Sequence, residues 1–176
     1  ELNTVFEIGK ELNSTLDTDK IVNLLGFSLM GEVMVQRCLI LIEQDGALHV
    51  RMSKGFKPPV DPGVVADAEI KRALMQVPQQ MLVREVADEK LRAWLEELQL
   101  IVASPMYSQE KIRGIVLAGK KITGAEFAPD ELDFIATLGG LTAVRPGTSE
   151  FLEAWKWTVD GGPPITTAPV VVGKLV

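Results

Sequence analysis

The sequence predicts an α+β fold, an antiparallel sheet of about five to six strands with the terminal helices on one face and short helices and loops on the other. Three observations carry that expectation. Residues 111–138 pass in unbroken order from a β-branched strand through a glycine-bearing turn into an amphipathic helix. Asp45-Gly46 joins two apolar runs, the strongest short-range signal for a β-hairpin. The remaining strand-like runs are close neighbours along the chain, so short hairpins rather than long parallel crossovers connect most of them.

Taken in order, Leu2, Val5, Gly9, Leu12 and Leu16 recur at steps of three and four, with Glu1, Glu7, Lys10, Glu11 and Asn13 opposite, which predicts an amphipathic helix over residues 1–15. Asp17-Thr18-Asp19 interrupts it, and Asp17 or Thr18 can cap a second helix over residues 18–35. Ile21, Leu24, Leu25, Leu29 and Val33 give that helix a wide apolar face suited to a sheet. Residues 38–43 and 48–52 are the first two strands. Lys57-Pro58-Pro59 and Asp61-Pro62-Gly63 then punctuate a crossing segment, with a short helix around residues 64–76. A brief strand at residues 81–83 leads to a second short helix marked by Leu91, Trp94, Leu95 and Leu98. Residues 100–107 form a further strand, and Ser108-Gln109-Glu110-Lys111 turns it into the strand at residues 112–118. Gly114 stands inside this last strand, where a side chain would crowd a neighbour or a ligand. Thr123-Gly124 supplies turn chemistry, Pro129 suits a first helical position, and Asp130 and Glu131 favour the positive end of the helix dipole. Leu132, Ile135, Leu138 and Leu141, beside Phe134, lay that helix on the sheet.

With 176 residues, 47% of them hydrophobic and 24% charged, the chain can build one substantial core, which argues against disorder and fibrous structure. A net charge of −6 without a Lys/Arg cluster predicts no nucleic-acid partner and no membrane surface. No apolar run reaches the length of a membrane span, and the acidic amphipathic start lacks the basic opening of a signal peptide, so the expected setting is the cytoplasm. One cysteine, Cys38, permits no internal disulfide and no thiolate zinc site.

Five stretches then resemble, in the right order, the GAF domain, a small-molecule sensory module of phosphodiesterases, histidine kinases, diguanylate cyclases, phytochromes and transcriptional activators. They are ELNSTLDTDKIVNLL, RCLILIEQDGALHV followed by Lys54-Gly55-Phe56, MLVREVADE, LIVASPMY, and IRGIVLAGKKITGAEFAPDELDFIATLGGLTAV. The resemblance covers about residues 1–144, and it implies a sheet-floored ligand pocket roofed by residues 54–98. By place, Arg51, Lys54, Phe56, Arg84, Trp94, Ser104 and Tyr107 fall near the implied rim, and arginines beside aromatics suit a small anionic or planar ligand. The bland alternative is that Phe56 and Trp94 are core and the arginines are solvated.

Other chemistry is sparse. His49, the sole histidine, lies in a predicted strand and reads as a surface or half-buried strand residue, and Cys38 reads as a small apolar one, so no metal site is expected. Bilin-binding family members use a cysteine in their later half, and none exists here after position 38. Cyclic-nucleotide-binding members carry Asn-Lys, a Phe, three residues and Asp-Glu. Here Lys120-Lys121 precedes Phe127, and only Ala128-Pro129 separates it from Asp130-Glu131, so these residues are expected to start a helix rather than to bind nucleotide.

Arg145-Pro146-Gly147 ends the family-like pattern. Residues 145–176, with Trp155, Trp157 and Gly161-Gly162-Pro163-Pro164, form an atypical tail that weakly resembles one blade of a quinoprotein-type propeller and reads as a truncated or foreign segment. No triad, paired carboxylates or phosphate loop accompanies the fold. The expectation is a non-enzymatic sensory domain, homodimeric through residues 1–35, that binds an unidentified small molecule and drives an effector domain. The alternative is a structural dimerisation or protein-interaction module without a ligand. No cofactor is identified.

Overall fold

The computed structural model describes residues 18–60, 63–108 and 111–143. The predicted first helix, the Asp17 cap and the tail at 145–176 lie outside the described residues. Within them the elements are α1 (Thr18–Ser28), a π-helical turn (Leu29–Val33), β1 (Cys38–Gln44), β2 (Ala47–Lys54), α2 (Ala68–Leu74), β3 (Met81–Leu82), a 3₁₀ turn (Val83–Glu85), α3 (Glu89–Glu97), β4 (Leu100–Ser108), β5 (Lys111–Gly119) and α4 (Pro129–Ala143).

The strands form one sheet in the order β2-β1-β5-β4-β3, and each neighbouring pair is antiparallel. This is the expected α+β architecture. Asp45 and Gly46 both take positive φ, 52° and 76°, which is the backbone that a tight two-residue hairpin demands and that Asp-Gly tolerates. The single predicted helix over residues 18–35 is instead an α-helix that widens into a π-helical turn and stops at Met34, which sits in the left-handed region. The cause is tertiary. Met34 O accepts from Ile122 N at 2.7 Å and Gln36 N donates to Lys120 O at 2.8 Å, so the chain must leave the helix in time to extend the β1–β5 ladder.

Leu39–Leu41 are buried on both sides of the sheet, because each face carries its own layer and a central strand then reads as a continuous apolar run. On the first face α1 and α4 set Val22, Leu25, Leu29, Phe134, Ile135 and Leu138 against Ile40, Val102, Met106, Val116 and Ala118. On the second, the segment from Phe56 to Leu95 sets Ile70, Leu74, Val83, Val86, Leu91 and Leu95 against Leu39, Leu41, Ala103, Ile115 and Leu117. Terminal helices on one face and mid-chain helices on the other match the expectation. Cys38 packs as a small apolar group, and burial pushes its thiol up to about 12.

The short helices hold because their first turns are capped. Asp67 accepts from Glu69 N and Ile70 N at 2.9 and 3.1 Å, and Asp88 accepts from Leu91 N at 2.8 Å. Lys90 joins them, its ammonium 2.9 Å from Asp67 and 2.6 Å from Glu69. The crossing segment contributes more than a helix. Gly63–Val65 runs along β2, with Val50 N donating to Gly63 O and Val65 N to Leu48 O, and so covers an otherwise open sheet edge.

Candidate functional site

Among the described residues, apolar side chains occupy the space between the sheet and residues 54–98. Leu39, Leu41, Leu74, Leu95, Ile115 and Leu117 are all fully buried there. Phe56 closes one margin with the Arg37 guanidinium 5.3 Å from its ring centroid. Ser53 Oγ and Gln80 Oε1 are buried without a hydrogen-bond partner among the described residues.

The seven rim residues do not converge. Phe56 and Trp94 pack into the second-face core. The β1–β2 register shifts between Ile40 and Leu41 and skips Arg51; its guanidinium bonds Gln44 Oε1 and stands 3.9 Å from Asp19 of α1. Lys54 also turns to α1, its ammonium 5.7 Å from the Phe27 ring centroid. Arg84 lies 3.8 Å from Glu126 in an exposed pair. Ser104 is buried on the α4 side, where a Cβ on Gly139 would come within 3.8 Å of its hydroxyl. Counting by twos from Leu100 puts Ser104 on the second face; a register shift between Leu100 and Val102 reverses the parity. Of the seven, Tyr107 borders a cleft.

That cleft, of about 630 Å³, lies where the β1–β2 turn, the C-terminal end of α2 and the β4–β5 hairpin meet. Tyr107 anchors one side, its hydroxyl directed at Pro78 O and Val77 O at 2.9 and 3.2 Å; burial raises its phenol above the ordinary value. The ladder shifts register again between Met106 and Tyr107 and leaves Arg113 without a partner on β4. This bulge sends the Arg113 guanidinium to Glu43 Oε2 at 3.1 Å. The Gly46 N–H, 2.8 Å from Glu43 Oε1, holds the Glu43 carboxyl below the ordinary carboxylate range, partial burial opposes it, and Arg113 reinforces the lowering. The Lys71 ammonium is bonded to the Gly46 carbonyl. Lys111 also borders the cleft, with no hydrogen-bond or ion-pair partner among the described residues. Met75, Ile112 and the Tyr107 ring give it an apolar wall.

Sequence reasoning missed Glu43, Lys71, Lys111 and Arg113. The only signal is the basic spacing of Lys111 and Arg113 beside a hairpin turn, and the bulge that turns Arg113 toward Glu43 has no signature in the sequence.

At the far end of the sheet, Lys121 and Glu131 form a 2.5 Å pair whose side chains are 11% and 17% exposed. Glu131 Oε2 also accepts from Ala128 N at 2.8 Å, and Phe127 packs on the first-face core. The stretch from Lys120 to Glu131, which partly matches a cyclic-nucleotide motif, is thus a helix start pinned to β5. Burial alone would raise the Glu131 carboxyl; its bonds to Lys121 and Ala128 outweigh that and bring it below the ordinary value. Among the described residues no group of three or more His, Cys, Asp or Glu is placed to hold a metal ion, and no helix is long and apolar enough to cross a membrane.

No protein-family model matches the sequence, and no curated protein does. Solved structures do match. The GAF domain/HD domain protein from Geobacter sulfurreducens aligns with a TM-score of 0.57 at 16% identity, covering 82% of this chain and 97% of that one. The GAF domain of a phosphoenolpyruvate-protein phosphotransferase from Acinetobacter gives 0.60 at 15% identity, covering 92% and 96%. The GAF domain of a two-component sensor histidine kinase from Bacillus halodurans gives 0.52 at 20%, covering 81% and 99%. The fold is that of a GAF domain.

Proposed function

We propose that residues 1–144 form a non-catalytic regulatory domain of a larger cytoplasmic signalling protein. It binds a small molecule and transmits that state through its terminal helices, within a homodimer formed by residues 1–35, to an effector domain. The observation that carries this reading is that β1 and β5 serve both ends of such a path. At one end they bring Glu43 and Arg113 to the cleft, and on the first face they are the floor under α1 and α4. A ligand that re-pairs Arg113 acts directly on the strands on which both helices rest. The likeness to GAF domains of a sensor histidine kinase and of an HD-domain protein supports a signalling context.

A second reading, an interaction module without a ligand, is favoured by the filled space beneath residues 54–98. Thermal unfolding of the purified chain against a panel of nucleotides and metabolites, followed by light scattering, separates the two. The sensor reading expects a concentration-dependent rise in Tm with at least one compound. A persistent dimer that no compound stabilises supports the interaction module, and a monomer at high concentration removes the dimer from both.

A further inference from the structure

We propose that the cleft between the β1–β2 turn, α2 and the β4–β5 hairpin binds a phosphate monoester with a compact apolar body, held by Lys71, Lys111 and Arg113. This rests on the sensor reading and names its ligand class. The chain as a whole carries a charge of −6, yet this cleft gathers three cations and one carboxylate, a local surplus of two positive charges that a phosphate dianion neutralises. The cations come from two elements, Lys71 from α2 and Lys111 and Arg113, two residues apart, from β5, so they border the space from two sides. Among the described residues the Lys111 ammonium has no partner and the Arg113 guanidinium is held by Glu43 alone. An entering phosphate therefore displaces at most one ion pair, and its planar fork suits Arg113 to bidentate contact.

The rest of the lining sets what the anion is attached to. Met75 and Ile112 are partly buried against the second-face core, and the Tyr107 ring is held by the two carbonyls it bonds. Together they offer a preformed apolar wall beside the cations. A volume of about 630 Å³ lies within the usual range for small-molecule sites. Inorganic phosphate fills the charged part only, whereas phenyl phosphate also covers Met75 and Ile112.

Calorimetric titration of the full chain with phenyl phosphate, inorganic phosphate, benzoate and phenol tests the assignment. Phenyl phosphate is expected to bind saturably, about tenfold tighter than inorganic phosphate or benzoate, with phenol not detected. Lys111 is exposed, so Lys111→Glu leaves the fold intact and weakens phenyl phosphate by about tenfold or more. Glu43→Gln retains an acceptor for Gly46 N, frees Arg113 and tightens binding severalfold; a purely structural role for Glu43 predicts no such gain. Saturable binding that neither substitution alters, or equal binding of phenol, overturns the proposal. A panel compound of another class that raises Tm equally in wild type and Lys111→Glu overturns the anion assignment and keeps the sensor reading. No heat and no Tm shift with any compound overturn both.

Discussion

A Cβ on residue 114 would lie 2.5 Å from the Leu41 carbonyl oxygen and 2.3 Å from Met106 Cε. The methionine tail can swing away, but the backbone oxygen belongs to the central β1–β5 ladder and cannot. Gly114→Ala is therefore expected to destabilise the fold by about 1–3 kcal/mol, read from the urea midpoint. Gly31→Ala is the control. Nothing lies within 4 Å of a Cβ added there, and on helical propensity the substitution should be neutral or stabilising by up to about 1 kcal/mol. At the opposite end of β5 the chemistry is charge rather than space. Lys121→Met leaves the partly buried Glu131 with only Ala128 N as partner, at a cost of about 1–3 kcal/mol near neutral pH. The folded Glu131 carboxyl lies below its ordinary 4.5, so its contribution is complete above that value and is lost as pH falls through the folded pKa. Denaturant melts of wild type and Lys121→Met should accordingly differ most near pH 7 and converge as pH falls below 4.5 and through the folded pKa; a gap unchanged across that range would show that packing, not charge, sets the effect.

At the scale of elements, α3 shows how a short helix is made to stay. It is nine residues long, too short to persist alone, and depends on the Asp88 cap at one end and on burial of Leu91 and Leu95 along its length. Asp88→Ala should cost about 0.5–2 kcal/mol and Asp88→Asn little, with hydrogen exchange accelerated at the Leu91 amide in the alanine variant alone. The same scale separates what could be read in the sequence from what could not. Asp45-Gly46, Pro129 and the acids after it act on their own backbone, and the hairpin and α4 are where those residues point. The ladder shifts at Ile40/Leu41, Leu100/Val102 and Met106/Tyr107 have no local residue signature, because each arises from fitting one strand to another. They misplace Ser104 by one face, swing Arg51 toward α1 and deliver Arg113 to the cleft. The candidate site was therefore much less legible than the sheet that carries it. Position along the chain is enough to bring Tyr107 to the sheet's rim, while the turn of Arg113 toward Glu43 depends on a bulge.

At the scale of the whole molecule, one sheet separates two apolar layers that share no helix. Leu25 belongs to the first-face core and Leu95 to the second, and both are fully buried. The layers are nevertheless bound to the same central strands: β1 sends Ile40 to one and Leu39 and Leu41 to the other, and β5 divides Val116 and Ala118 from Ile115 and Leu117 in the same way. Losing either layer exposes an apolar face of β1 and β5 and weakens the ladder on which the other rests, so the described body should unfold as one cooperative unit. Leu25→Ala and Leu95→Ala should each cost about 2–5 kcal/mol and each lower a single calorimetric Tm by roughly 4–20 °C. The shape of the transition decides the matter more than its size. If Leu95→Ala split the endotherm, leaving a transition at the wild-type Tm, the second-face layer would be melting from a sheet that α1 and α4 hold without it. A single shifted transition in both variants would show that the two layers and the sheet between them stand or fall together, each layer supported by the other through β1 and β5.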